Sequence, residues 1–198
     1  MSTLPRARDA ESVRRPDLSG RWAMLSDASL ARFHVRDKLV STVHGTLPIE
    51  DGVVVVSADG EVTEAWVRLS AAGIATGNAH RDRDVRGPRF LDAEGCPTLV
   101  VTVVTSRETP TGWEADAVVL ARGTRAPVGL TVVLADEPQP RPDGPIRVRV
   151  AGRLDRRPLG MKVPTFVVGR FLDLEAELRF ARVVPGDNAG GVTRDDAP

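Results

Sequence analysis

The chain has 198 residues, with 27 basic and 27 acidic side chains and a formal net charge of zero. That balance argues against the basic surplus that nucleic-acid binding requires and against a polybasic membrane patch. The length supports a buried core without staples, and the single cysteine, Cys96, excludes an internal disulfide framework and Cys-rich zinc sites.

Residues 1–17 are polar, hold two prolines and lack the apolar core of a signal peptide. They are expected to be disordered, and the protein to be cytoplasmic. No run approaches 18 apolar residues, so no stable membrane insertion is expected. Over the foldable domain, 18–184, the dominant hydrophobic period is two. Alternation passes through Phe33/Val35, Val43/Gly45/Leu47, Val67/Leu69/Ala71 and Leu99/Val101/Val103. It continues through Trp113/Ala115/Ala117, Val128/Leu130/Val132 and Ile146/Val148/Val150. The clearest case is 171–180, where Leu172, Leu174, Ala176, Leu178 and Phe180 alternate with Asp173, Glu175, Glu177 and Arg179. A helix would scatter those five apolar residues, whereas a strand puts them on one face. Turn signals fall at Pro48, Asp51-Gly52, Asp59-Gly60, Pro110-Thr111-Gly112 and 138–145. Only 36–41 and 86–95 read as short helical turns. The tail 185–198 loses all hydrophobic period and is expected to be disordered. The expected fold is all-β, with about eight antiparallel strands and one or two short helices. A closed barrel has the advantage over a sandwich that it leaves no open edge.

Small residues share the apolar faces: Ala115 and Ala117 lie beside Trp113, while Gly45 and Ala71 lie on their own strands. Inward-facing, they either leave the space by which an eight-stranded barrel holds a ligand or accommodate neighbouring Trp and Phe rings. Alternation alone does not decide between these readings.

The densest motif lies in 74–98. Ile74, Thr76, Gly77, Asn78, Arg81 and Asp82 are followed by Phe90 and Asp92, and then by Pro97-Thr98. Phe33-His34-Val35 with Val43 and Gly45, Gly123 with Pro127-Val128, and Arg157-Pro158-Leu159-Gly160-Met161 add ordered matches over about 20–183. Together these motifs resemble the YceI-like family of polyisoprenoid-binding proteins. Gly73, Asp84, Val85, Leu91 and Arg125 depart from the pattern, which marks a divergent relative.

The resemblance implies a lipocalin-like, extended antiparallel barrel that carries or sequesters a long amphiphile (polyisoprenoid, quinone or lipid) without catalysis. No resident cofactor or metal is implied, only the bound isoprenoid or quinone itself. The expected tunnel lining is Phe33, Val35, Val43, Leu69, Leu99, Val101, Val103, Trp113, Ala115, Ala117 and Val128, with Phe90 and Met161 near a mouth. Asn78, Arg81 and Asp82 either meet a headgroup or satisfy loop amides, with Arg81 pairing a carboxylate; the structural role is favoured. Two other readings are carried alongside. One is an enzyme acting on an amphiphile in the same cavity, with His80, Arg81 and Asp82 as acid/base groups. The other is a dimeric stress-response or interaction protein with a shrunken cavity. His34 and His44 alternate out of the apolar faces and meet outside the barrel if their strands are adjacent. Cys96 is expected to be a buried, inert thiol. Trp66, alternating against Val67 and Leu69, falls on the outer face or an interface, where exposure would point to a homodimer, or else packs into the core at a barrel end.

Overall fold

The computed structural model describes residues 17–37, 41–135, 144–161, 163 and 168–184. Ten strands follow in chain order: Gly20–Met24 (β1), Leu30–Asp37 (β2), Ser41–Leu47 (β3), Ile49–Val56 (β4) and Val62–Ser70 (β5). After the helix Ala79–Arg86 (α1) come Thr98–Thr109 (β6), Gly112–Ala121 (β7), Thr124–Leu134 (β8), Ile146–Asp155 (β9) and Val168–Arg182 (β10). Every pairing is antiparallel, and β1, β4, β5, β6, β7, β8, β9 and β10 close on themselves through β1–β10. The fold is therefore a closed eight-stranded antiparallel β-barrel.

The β2–β3 hairpin extends this ring at one end. β10 is long enough for two partners on one edge: β2 pairs with Val168–Glu177, and β1 with Phe180–Arg182. The chain between them turns through Ser26–Ala28, where Ser29 Oγ accepts the amide of Arg179 at 2.9 Å. Pro48 likewise separates β3 from β4, as expected of a residue that donates no ladder bond. At the extended end β3 does not reach β5. The connection 71–97, which contains α1, fills that gap, bridging Thr46 to Ala75 and stacking Ile74, Leu91 and Ala93 into the core.

Two local expectations change. Asp51-Gly52 is no turn but lies inside β4 at a register shift between Ile49 and Asp51. A Cβ on Gly52 would stand 2.9 Å from both the Met24 methyl and the Trp66 carbonyl oxygen, so close packing selects the glycine. The helix near the motif is Ala79–Arg86, upstream of the expected 86–95. Asn78 caps it by accepting the amides of His80 and Arg81 at 3.1 and 3.0 Å. In the expected 36–41 turn, Arg36, Asp37 and Ser41 belong to strands, and 38–40 lie outside the described residues. So do 1–16, 185–198 and most of the expected 138–145 turn. Among the described residues no helix is long and apolar enough to cross a membrane.

Candidate ligand-binding site

The barrel interior holds two cavities of about 470 and 140 Å³. The larger lies in the extended half, walled by β2, β3, β10 and the 71–97 connection. The smaller lies where the ring closes, beside Trp22, Trp113 and Phe180. The walls of the larger are mainly aliphatic, and those of the smaller mix aliphatic side chains with Trp22, Trp66, Trp113 and Phe180. Most of the polar groups of the larger chamber, Thr76, Asn78, His80, Arg81, Asp84 and Arg156, come from elements at its outer end; the others are Arg32 and Glu175, register partners on β2 and β10.

Phe33, Val35, Val43, Leu69, Phe90, Leu99, Val128 and Met161 line the larger chamber; Val103, Trp113 and Ala115 line the smaller; Val101 borders both. Ala117 lines neither. It is buried, at 2% exposure, between its register partners Val103 and Val128, whose longer side chains reach past its methyl group. Alternation also missed part of the wall. Ile74, Leu91, Leu154, Leu159 and Arg156 line the larger chamber, and all but Leu154 lie in connections where no period exists to read. Gly45, counted among the small residues, leaves no space: a Cβ there would lie 2.2 Å from Cζ of Phe33, its cross-strand partner, so the ring already fills the gap.

The outer end is held by side chains bonded to backbone. Arg81 donates from Nε to Thr76 Oγ1 at 2.8 Å and from Nη2 to the Thr76 carbonyl at 2.9 Å, rather than to a carboxylate. Asp82, largely buried and outside the cavity wall, accepts the Thr76 amide at 2.8 Å and its hydroxyl at 2.5 Å. Asn78 and Arg81 reach the wall, while Asp82 braces it from behind. Arg156, at 2% exposure, donates to the carbonyls of Gly169 (2.8 Å), Val163 (3.0 Å) and Val168 (2.5 Å). Burial pulls this guanidinium below the usual arginine range, while the neighbouring Asp155 charge pushes it back. Asp155 itself is held well below the usual carboxylate range by hydrogen bonds from Arg170 and then Arg157.

His34 and His44 are cross-strand partners with ring centroids 4.5 Å apart, edge to face, and His34 Nε2 stands 3.7 Å from Glu175. Among the described residues no three or more His, Cys, Asp or Glu side chains converge on a common point. Cys96 is a free thiol and only half-buried, a departure from the expected buried position: the turn that carries it runs along the surface, its amide donating to the Asp92 carbonyl at 2.7 Å. Trp66 is half-buried, donates to Glu64 at 2.9 Å and lies under the Arg68 guanidinium at 5.6 Å.

A model of the YceI-like domain matches residues 22–180. No curated protein matches the chain. Among solved structures, BcnA of Burkholderia cenocepacia is similar at a TM-score of 0.63 and 13% identity, covering 79% of this chain and 98% of its own. A polyisoprenoid-binding domain from Saccharophagus degradans, implicated in plant cell wall breakdown, aligns at 0.59 and 12%, covering 82% of this chain and 98% of its own. The YCEI protein of Campylobacter jejuni aligns at 0.62 and 18%, covering 74% and 88%. These identities speak to the fold. The family match spans most of the sequence, and this chain belongs to the proteins built on a YceI-like domain.

Proposed function

We propose that the protein binds a long-chain amphiphile (a polyisoprenoid, a quinone or another lipid) and carries or sequesters it without chemical change. The observation that supports this most is the larger chamber itself, about 470 Å³ of mainly aliphatic wall with most of its polar groups gathered at the outer end. Such a site holds a tail by desolvation, at about 0.8 kcal/mol per buried methylene, and needs no charged clamp. Phe33, Val35, Val43, Leu69, Leu99 and Val128 contact the tail in this reading, and Asn78 and Arg81 sit nearest its head.

The hydrogen bonds of the motif favour a carrier over an enzyme. Arg81 and Asp82 are both engaged with Thr76, which leaves neither placed as a free acid or base, so the enzyme reading would rest on His80 alone, 3.6 Å from Asp84. An open chamber of this size also weighs against an interaction protein with a shrunken cavity.

The test is native mass spectrometry of protein purified from its own host, with organic extraction of whatever is bound. A stoichiometric long-tailed amphiphile supports the carrier reading. An empty, stable dimer overturns it in favour of an interaction role, and the same spectrum decides the homodimer suggested by Trp66. Arg81→Ala separates carrier from enzyme: a carrier keeps its extracted ligand and loses stability, whereas an enzyme loses conversion of that ligand.

A further inference from the structure

The two chambers share four wall residues: Val67, Val101, Val150 and Leu178. Val67 and Val101 are register partners across β5 and β6. Val150 stands on β9 and Leu178 on β10. In the eight-strand ring β5 lies four places from β9, and β6 four places from β10, so the two pairs face each other across the barrel. The side chains form a waist between the larger and the smaller chamber.

The depth above that waist follows from the strand. β10 lines the larger chamber at Leu172, Leu174, Ala176 and Leu178. Those six steps span about 20 Å along the strand and, with strands tilted by roughly 35–45°, about 15 Å along the barrel axis. That is half of the ~30 Å hydrocarbon core of a bilayer, the depth one leaflet's tail occupies. Beyond the waist, the smaller chamber is bordered by Trp22, Trp66, Trp113 and Phe180, four large rings around a space of about 140 Å³.

We infer that Val67, Val101, Val150 and Leu178 determine the length of the apolar tail this barrel holds. The inference rests on the carrier reading and adds a specificity to it. A tail gains affinity with each methylene until its end meets the waist. Further carbons then stay outside in water, and affinity stops rising. Removing waist atoms joins the chambers into one passage and moves that limit to longer tails.

The experiment is a binding series with linear isoprenols, from geraniol through farnesol and geranylgeraniol to solanesol, on the full chain stripped of lipid. Buried methylenes each contribute about fourfold in affinity, so the wild type should tighten steeply over the short members and level off at or before geranylgeraniol. Leu178→Ala and Val150→Ala should shift the plateau, with solanesol binding at least about tenfold tighter than geranylgeraniol, because even two extra buried methylenes suffice for that. Leu172→Ala, on the larger chamber away from the waist, should weaken every member and leave the plateau where it is. A wild-type series that keeps tightening to solanesol overturns the inference, as does an unmoved plateau in both waist variants. Should the variants not fold, the wild-type series decides alone. If no isoprenol binds, the waist inference is overturned while the carrier reading stands or falls on the extracted ligand; if all bind without a plateau, only the waist fails.

Discussion

The two halves of the barrel are built from the same alternating strands, yet one is nearly filled and the other hollow. In the ring-closing half, Trp22 is 2% exposed, its Nε1 donates to the Leu18 carbonyl at 2.8 Å, and the Arg182 guanidinium stacks 4.5 Å above its ring. In the extended half the walls carry mainly aliphatic side chains, and the connection 71–97 fills the gap between β3 and β5. Alternation determines which way a side chain points. Whether the interior is solid depends on the size of the few residues that meet at its centre.

Truncating the anchor of the filled half should have the largest effect. Trp22→Ala should cost about 3–5 kcal/mol, read by urea unfolding, whereas Leu69→Ala on the hollow wall should stay near 2 kcal/mol, the low end for a buried leucine. The reason is that a side chain facing a void already lacks partners on that side. Equal costs in the two halves would break the contrast. Next comes the brace of the hollow end. Asp82→Ala leaves the Thr76 amide and hydroxyl without their acceptor and should cost about 1–3 kcal/mol. A thermal melt at neutral pH reads it, and Asn at this position should recover part of the loss. Asn78→Ala removes the cap of α1 and should cost about 1 kcal/mol, with hydrogen exchange rising in 79–86 before it rises in β6 or β7.

The smallest effect is one of pH. Asp155 is held by Arg170 and Arg157, so its folded pKa lies below the ordinary carboxylate value near 4. The stability this contributes is complete above that value and is lost as the pH falls through the folded pKa. Unfolding midpoints measured below about pH 4 should therefore drop less in Asp155→Asn than in the wild type. At neutral pH the variant should be the weaker of the two. The same acid limb in both proteins would remove Asp155 from the account.

Much of this was legible in the sequence, and the pattern of misses has a physical cause. The alternation of 171–180 marks β10 and its inward face because a period of two survives in any strand with one wet side. The same period puts Leu172 and Leu178 on an apolar face, but nothing in the spacing says that one lies near an outer mouth and the other at a waist. That is a property of register with β2, β9 and β1, which is non-local. Ile74 and Leu159 sit in connections and carry no period at all. Arg156 stands in a stretch crowded with exposed arginines, and only its three carbonyl partners distinguish it from them. The helix was misplaced by one turn or more because its signal is the cap at Asn78, a single residue, and not a hydrophobic stripe. Gly45 decides at its own position between the two alternatives that alternation leaves open: it accommodates a ring and is the floor under Phe33.

The ring closes by pairing Trp22 with Arg182, and that pairing has a consequence in time. At roughly 5–20 residues per second of synthesis, the two partners leave the ribosome some 8–32 s apart. For that interval the future interior is one face of an open sheet, apolar and wet, with β1 lacking its second neighbour. Such a face is exposed to aggregation until β10 arrives. A tail-bearing molecule or a chaperone present in that interval meets a broad apolar surface, whereas one arriving later meets a closed ring.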